Sequence, residues 1–359
     1  MFLYPEIKYD TKVAASQDIE PDDILFKLKD QLPQEQMDMM VLDIVAFKKK
    51  LEEQKKFHPF GEVAGKKLEE QKKFHPFGEV AGVIRQEDVE YRMYKVTEFN
   101  EEYSNYLTRI QTLSLFYIDA AEYTDNEDSR FFSYTMFEVT KSPEDGRDVF
   151  KLMGYAILYN FYAHPSMVRP RIAQILVLPQ YRGKGTGAKF LKAIYTDLRK
   201  DPNVKDITAE TPADAFVFLR DYIDCIDCNQ LESFKKEKLL KGFTKAMEEE
   251  AQKILKIHPK QSRRVYEILR LYHTDTGNPA EETAYKAMVK ARLEKPMRRG
   301  QSDWVKLRKV LDDEEFQVMA IANSEERKQE LLEQNYEKVM EEYQLVLSRL
   351  KSFAAEHGF

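Results

Sequence analysis

The run Pro179-Gln180-Tyr181-Arg182-Gly183-Lys184-Gly185-Thr186-Gly187 lies between an apolar stretch, Arg171 to Leu178, and a segment with helical spacing, Lys189 to Leu198. Glycines in such a loop let successive backbone N–H groups turn into one concavity. The following helix adds the positive end of its dipole, and together they seat a phosphate or pyrophosphate. Three glycines in five residues exceed what a plain tight turn needs. A Walker loop is excluded, because no Gly-Lys-Ser/Thr closes the run. Two signatures remain. Gly183, Gly185 and Ala188 satisfy the dinucleotide pattern G-x-G-x-x-A, with Glu210 ending the next strand. Gln180, Gly183 and Gly185 satisfy Q-x-x-G-x-G.

Glu210 follows a short strand, Asp206 to Ala209, and precedes Pro212. A carboxylate at a strand end beside a cofactor channel is expected to be partly desolvated, with its pKa raised toward working pH. The plainer alternative is a solvated cap for the next helix. Tyr159-Asn160-Phe161 ends a long strand. An aromatic pair flanking an amide suits the stem and backbone of a lysine-bearing peptide, and core packing is the alternative. Cys225-Ile-Asp-Cys228 has no second Cys or His pair at zinc spacing, and the six His residues form no metal pattern. Arg292 to Arg299 is a local basic stretch, expected as a solvated face.

The elements that must carry these residues follow from periodicity. Pro21-Asp22-Asp23 opens a helix over Ile24 to Leu32. A second helix carries Met37, Met40, Val41, Ile44, Val45 and Phe47 as its apolar stripe. Val89 to Val96 alternates and is predicted as a strand, and Asn105 to Ala121 as a helix. From Phe131 the period is two. Strands are expected over Phe131 to Val139, Val149 to Phe161 and Arg171 to Leu178, with a turn at Ser142 to Gly146. Helices are expected over Lys189 to Leu198 and Ala213 to Ile223. Beyond Leu231 the pattern is helical, and Ser324 caps a final helix whose stripe runs from Leu331 to Leu350. The expected domains are residues 1–100 (partial N-terminal α/β), 101–229 (catalytic core) and 230–359 (helical).

The chain has 359 residues, 43% hydrophobic and 33% charged, with 22 Phe, 20 Tyr and a net charge of −6. That composition argues for folded domains and against a strongly basic nucleic-acid coat. No apolar run approaches the ~18 residues of a membrane span. The acidic balance suits a basic partner. Lys49–Gly65 and Lys66–Gly82 are identical letter for letter. An isolated identical pair is not a solenoid. It is expected to be a recent insertion or a gene-model error, with a bivalent FHPFG binding element as the rival, one copy forming a surface loop and the other leading into the Val89–Val96 strand.

With its order of strands and helices, the Q-x-x-G-x-G loop resembles the acetyl-CoA signature of the GNAT superfamily of N-acetyltransferases. Further segments narrow the likeness: Leu152 to Tyr162, Arg169-Pro170-Arg171, Ile207-Thr208-Ala209-Glu210 and Gln261-Ser262-Arg263-Arg264-Val265-Tyr266-Glu267-Ile268-Leu269-Arg270-Leu271. These resemble the type B histone acetyltransferase catalytic subunit family, with the family's acidic histone-contacting N-terminal region lacking a counterpart.

The resemblance implies an α+β fold, with a mixed, mostly antiparallel sheet flanked by helices, an N-terminal α/β region and a C-terminal helical domain. It implies acetyl-CoA as cosubstrate, held by Ile175, Leu176, Val177, Gln180, Arg182, Gly183, Lys184, Gly185, Thr186, Gly187 and Tyr222, with the Leu176 or Val177 N–H on the thioester carbonyl. Glu210 maps to the general base and Asp119, in YIDAAEY, to a second functional carboxylate. From the residues alone Asp119 is equally a polar group at a helix end. Thr211 stands where the family commonly has Asp, and Tyr222 where it usually has Phe. Tyr159, Asn160 and Phe161 map to histone-tail contacts. The implied substrate is the N-terminal tail of newly made histone four, modified on lysine without a covalent enzyme intermediate. The implied partner is a WD-repeat β-propeller histone chaperone, with no metal, direct nucleic-acid or membrane contact. The implied location is nucleus and cytoplasm. An acetyltransferase acting on another amine and a catalytically weak histone-binding scaffold are the alternatives.

Overall fold

The structure is a computed structural model. It describes residues 31–54 and 74–357, apart from 33, 39, 42, 87, 88, 143–145, 276 and 308–323. The helix expected over Ile24 to Leu32, apart from its last two residues, and most of the two identical copies lie outside the described residues. The chain falls into two compact units, residues 1–158 with 173–181 and residues 159–172 with 182–359. Six strands follow one another across a single sheet in chain order: β1 (Glu79–Gln86), β2 (Val89–Val96), β3 (Phe131–Lys141), β4 (Asp148–Ala163), β5 (Met167–Val177) and β6 (Thr208–Ala209). β1 and β3 pair antiparallel with β2, and β5 pairs parallel with β6. This is the mixed, mostly antiparallel sheet that the resemblance implies.

In the first unit the expected single helix around Val41 is broken in two, α1 (Gln34–Asp38) and α2 (Ile44–Gln54). Asp43 explains the restart: its carboxylate accepts the Ala46 N–H at 2.7 Å and its carbonyl the Phe47 N–H at 2.9 Å. A capped start is favoured over a helix running through. α3 (Glu101–Gln111) begins before and ends well before the expected Asn105–Ala121 helix. Asn100 caps it by accepting the Tyr103 N–H at 2.8 Å. At the other end the Ser114 hydroxyl donates to the Gln111 carbonyl at 2.6 Å, and a short 3₁₀ turn, Ser114–Phe116, follows.

β1 was not foreseen. Half of it, Glu79 to Gly82, is the end of the second copy. The aromatic residues ahead of it anchor that copy: Phe77 lies 5.4 Å from the rings of both Tyr103 and Tyr106, and Phe74 5.8 Å from Phe137. Tyr103, Leu107, Tyr155, Ile157 and Leu176 form the adjoining core. Gly154 marks where β4 meets the end of β5, because a Cβ there would come within 2.3 Å of the Leu176 carbonyl oxygen.

The second unit carries α4 (Thr186–Lys200), α5 (Asp214–Asn229), α6 (Lys236–Leu239), α7 (Lys245–Leu255), α8 (Pro259–His273), α9 (Pro279–Leu307) and α10 (Glu325–His357). Phe234, Val265, Tyr266, Ile268, Tyr285, Tyr343, Val346 and Leu350 fill its core. Each such large apolar side chain contributes roughly 1.5–3 kcal/mol by leaving water. Ser324 caps α10 as expected, its hydroxyl accepting the Arg327 N–H at 3.2 Å. The fully buried Glu267 ties three helices together. It accepts from Arg263 on its own helix, from both Nε and a terminal nitrogen of Arg292 on α9, and from the Tyr343 hydroxyl on α10 at 3.0 Å. Arg292 is therefore a core clamp and not part of a solvated basic face.

Candidate active site

Within the second unit the glycine loop opens α4. Gly183 and Gly185 take φ of 76° and 72°, left-handed values that favour glycine. Neither would crowd a Cβ, so backbone conformation rather than space requires glycine at both. Gly185 is the N-cap of α4 and provides no side-chain acceptor. The N–H groups of the first turn are thus left without a side-chain cap, beside exposed Arg182 and Lys184. Uncapped helix N–H groups next to two cations suit a pyrophosphate. Gly187 has a different job. A Cβ there would lie 3.3 Å from Leu219, so it sets the approach of α4 to α5. Thr186 is buried.

β6 is two residues long. It pairs with β5 only at Arg171↔Thr208 and Ile172↔Ala209, after which the Glu210 N–H donates to the Ile172 carbonyl at 2.9 Å. The chain then leaves the sheet, and Thr211 takes a φ of 31°. Glu210 is exposed, where partial desolvation was expected, because β6 ends at Ala209 just before it. β5 outruns β6 by five residues, to Val177.

The Tyr159 and Phe161 rings meet at a 58° tilt, 4.6 Å between centroids, and the Arg171 guanidinium lies 4.3 Å from the Phe161 ring centroid. Phe161 is exposed and its neighbour Tyr162 more so, so this end of β4 is not simply core. The Asn160 Oδ1 is buried without a hydrogen-bond partner. Two residues to which no role was attached, Arg171 and Thr208, share that property at Nε and Oγ1. Their signal lay in two period-two runs, Arg169-x-Arg171 and Asp206-x-Thr208-x-Glu210.

Tyr222 is half-buried on α5 with its ring edge-on to Phe353, 6.3 Å away, and Arg349 over its face at 5.8 Å. It packs against the C-terminal helix. Cys225 and Cys228 are both buried in the helical core, where desolvation pushes their thiols well up and suppresses thiolate.

The remaining candidates belong to the first unit. Gln180 is exposed in a 3₁₀ turn, Pro179–Tyr181, and Ile175, Leu176 and Val177 form the end of β5. Gln174 steadies that end: it donates to the Glu122 carbonyl at 2.6 Å and accepts from Gln111 at 3.0 Å. Asp119 is exposed in the turn after the 3₁₀ segment, eight residues past the end of α3, so it is not a helix-end residue.

Comparison with known proteins bears on the same segments. The family model for the C-terminal part of the histone acetyltransferase type B catalytic subunit matches residues 220–271, which include Arg263 to Leu271. The model for the N-terminus of histone acetyl transferase HAT1 matches residues 1–119. The chain is 32% identical over 347 residues to the human histone acetyltransferase type B catalytic subunit, covering 96% of this chain and 78% of that protein. This chain belongs to the type B histone acetyltransferase catalytic subunit family. The Cryptococcus neoformans member is 28% identical over 366 residues, covering 96% of this chain and 81% of its own. Among solved structures, a soil-metagenome aminoglycoside acetyltransferase aligns over 36% of this chain and 85% of its own, at 14% identity and a TM-score of 0.27. The protein is thus a histone acetyltransferase, and its family uses acetyl-CoA as cosubstrate.

The glycine loop fits that cosubstrate. Two left-handed glycines and an uncapped helix start are what a pyrophosphate requires. No group of three or more His, Cys, Asp or Glu residues that could hold a metal occurs among the described residues.

Proposed function

We propose that the protein transfers acetyl from acetyl-CoA to lysine in the N-terminal tail of newly made histone four, with Glu210 as general base. The observation that carries this reading is the early end of β6. It leaves the Glu210 backbone fixed on Ile172 while its carboxylate is exposed and unpaired among the described residues. Bound acetyl-CoA supplies a thioester-activated acyl group. Arg182 to Gly187 hold its pyrophosphate through backbone N–H groups and two cations. The roles of Ile175, Leu176, Val177 and Gln180, and of Asp119 as a second carboxylate, rest on the family resemblance.

An ammonium is not a nucleophile, so the lysine must lose a proton before it attacks. Glu210 accepts that proton. The contacting rings of Tyr159 and Phe161 offer an apolar surface against which the aliphatic stem of the lysine or the flanking backbone lies. A basic tail suits a chain of net charge −6. A WD-repeat β-propeller chaperone as partner, and work in nucleus and cytoplasm, complete the proposal. It is tested by acetyl incorporation from acetyl-CoA into a histone four tail peptide. Peptide binding without turnover would favour the histone-binding scaffold instead.

A further inference from the structure

Three rungs of the second unit run side by side on one face of β5 and the segment around β6. In a strand residues two apart share a face, so Arg169 and Arg171 lie together in β5; opposite them Asp206 is tied to Arg169, Thr208 pairs with Arg171, and Glu210 follows just past β6 with its N–H on Ile172. The first rung is closed. Arg169 holds the fully buried Asp206 through two nitrogens, the outer bond at 2.9 Å, and Gln252 adds a third donor at 2.9 Å. The second rung is open. Arg171 and Thr208 are register partners, yet the Arg171 Nε and the Thr208 Oγ1 are buried with no hydrogen-bond partner. Arg171 makes no ion pair among the described residues. Its guanidinium is held instead by the face of Phe161, 4.3 Å away. The third rung is the exposed carboxylate of Glu210.

A buried N–H and a buried hydroxyl without partners are costly to maintain, and two of them on register-paired residues beside an exposed carboxylate form a place for one hydrogen-bonding acceptor. The ligand's chemistry follows from the order of the rungs. Arg171 and Thr208 call for a hydrogen-bond acceptor; Glu210 calls for a cation. The two are separated by about 6.6 Å, two residues of strand rise. That matches the reach of a lysine's four-carbon stem, which carries a carbonyl at one end and an ammonium at the other. We propose that Arg171 and Thr208 bind the main-chain carbonyl of the acceptor lysine, fixing its backbone while its amine meets Glu210. The proposal rests on the reading of Glu210 as the base, and it makes the enzyme selective for peptide lysine over amines that lack a carbonyl at this distance.

The test uses the whole protein with a histone four tail peptide, in steady state, beside thermal melting. Arg171→Met keeps an unbranched apolar stem but removes every donor and the guanidinium's contact with Phe161; Thr208→Val is nearly isosteric. Arg171→Met is expected to raise the peptide KM about tenfold, with kcat and the acetyl-CoA KM within about twofold, and Thr208→Val about threefold, since a charge-assisted bond outweighs a neutral one. Thr208→Val does not lower the melting temperature, because its hydroxyl has no partner in the free protein, and Arg171→Met shifts it only by the lost contact of the guanidinium with Phe161. Arg171→Lys regains part of the loss. A second peptide carries an alkene isostere in place of the lysine's own carbonyl. Wild type is expected to lose about tenfold in kcat/KM on that peptide, and Arg171→Met nothing further. An unchanged peptide KM in Arg171→Met, or an equal alkene penalty in both proteins, overturns the inference. So does a shared fall in melting temperature and affinity in both Arg171→Met and Thr208→Val. Loss of turnover in Glu210→Gln with a silent Arg171→Met overturns the carbonyl site and keeps the base. A raised peptide KM in Arg171→Met with normal turnover in Glu210→Gln keeps the carbonyl site and removes the base.

Discussion

The backbone N–H of Glu210 donates to the carbonyl oxygen of Ile172 at 2.9 Å. It is the bond with which the second strand of the β5–β6 pair lets go of the sheet. One residue later the backbone is left-handed, and three residues after that α5 begins. The carboxylate therefore stands on a backbone fixed from one side and strained on the other, an arrangement typical of functional positions.

That strain has a measurable cost. Thr211 is β-branched and sits at a φ of 31°. Left-handed backbone costs an L-residue roughly 1–2 kcal/mol, and asparagine tolerates it better than threonine. Thr211→Asn is expected to raise the unfolding free energy by about 1 kcal/mol in urea denaturation. A lower value would show that the threonine side chain contributes something the backbone argument misses.

Glu267 lies at the centre of Arg263 to Leu271, within the stretch that the family's C-terminal model matches. Its carboxylate is fully buried and takes hydrogen bonds from Arg263, Arg292 and Tyr343. Removing one partner of a buried charged network leaves the other charges uncompensated, at a cost of about 3–5 kcal/mol. Glu267→Ala is expected to lose stability of that order in denaturant unfolding. A loss below about 1 kcal/mol would mean that the clamp is ornamental.

Asp224 gives the helical unit a pH dependence. Burial pushes its carboxyl up to about 6 from 3.8, although Arg220 and Arg199 oppose the shift. A raised folded-state value means that the folded protein binds a proton before the unfolded chain does. Asp224 therefore favours folding more as pH falls from above 6 toward 4, and this contribution is lost as pH rises through the same window. The difference in unfolding free energy between wild type and Asp224→Asn should change by up to about 1.4 kcal/mol per pH unit there and stay flat above pH 7. A flat difference from pH 4 to 8 contradicts the assignment.

The two identical copies make another prediction. Deleting Lys49–Gly65 or Lys66–Gly82 produces the same polypeptide. The described end of the second copy already supplies Phe74 and Phe77 to the aromatic cluster and half of β1. Loop length alone changes stability by only about 0.6 kcal/mol per doubling. The deleted chain should melt within a few degrees of the full one and keep its acetyltransferase rate. A collapse of either would show that both copies are needed.

Much of the fold was legible because strand periodicity is local. Val89–Val96 and the long strands of the sheet emerged with errors of a few residues at their ends. What was missed depends on side chains finding partners. Ser114 ends α3 early by donating to Gln111, and Asp43 splits a helix whose apolar spacing looked continuous. Half of β1 lies inside the duplicate, where only its pairing with β2 identifies it as a strand. At the site, Gly183 and Gly185 were legible because left-handed backbone selects glycine. Arg171 and Thr208 were not, since only the structure shows that Arg169 has a carboxylate and Arg171 has none. The exposure of Glu210 was hidden as well, because it depends on where β6 stops.

The central claim is that Glu210 removes the proton from an acceptor lysine. The direct measurement is acetyl transfer to a histone four tail peptide by wild type and Glu210→Gln, alongside acetyl-CoA binding and melting temperature. General-base catalysis contributes typically 10²–10⁴-fold. The account predicts that Glu210→Gln loses at least about a hundredfold in kcat while acetyl-CoA affinity and melting temperature stay near wild type. A Glu210→Gln protein that turns over within a few-fold of wild type at neutral pH would contradict it.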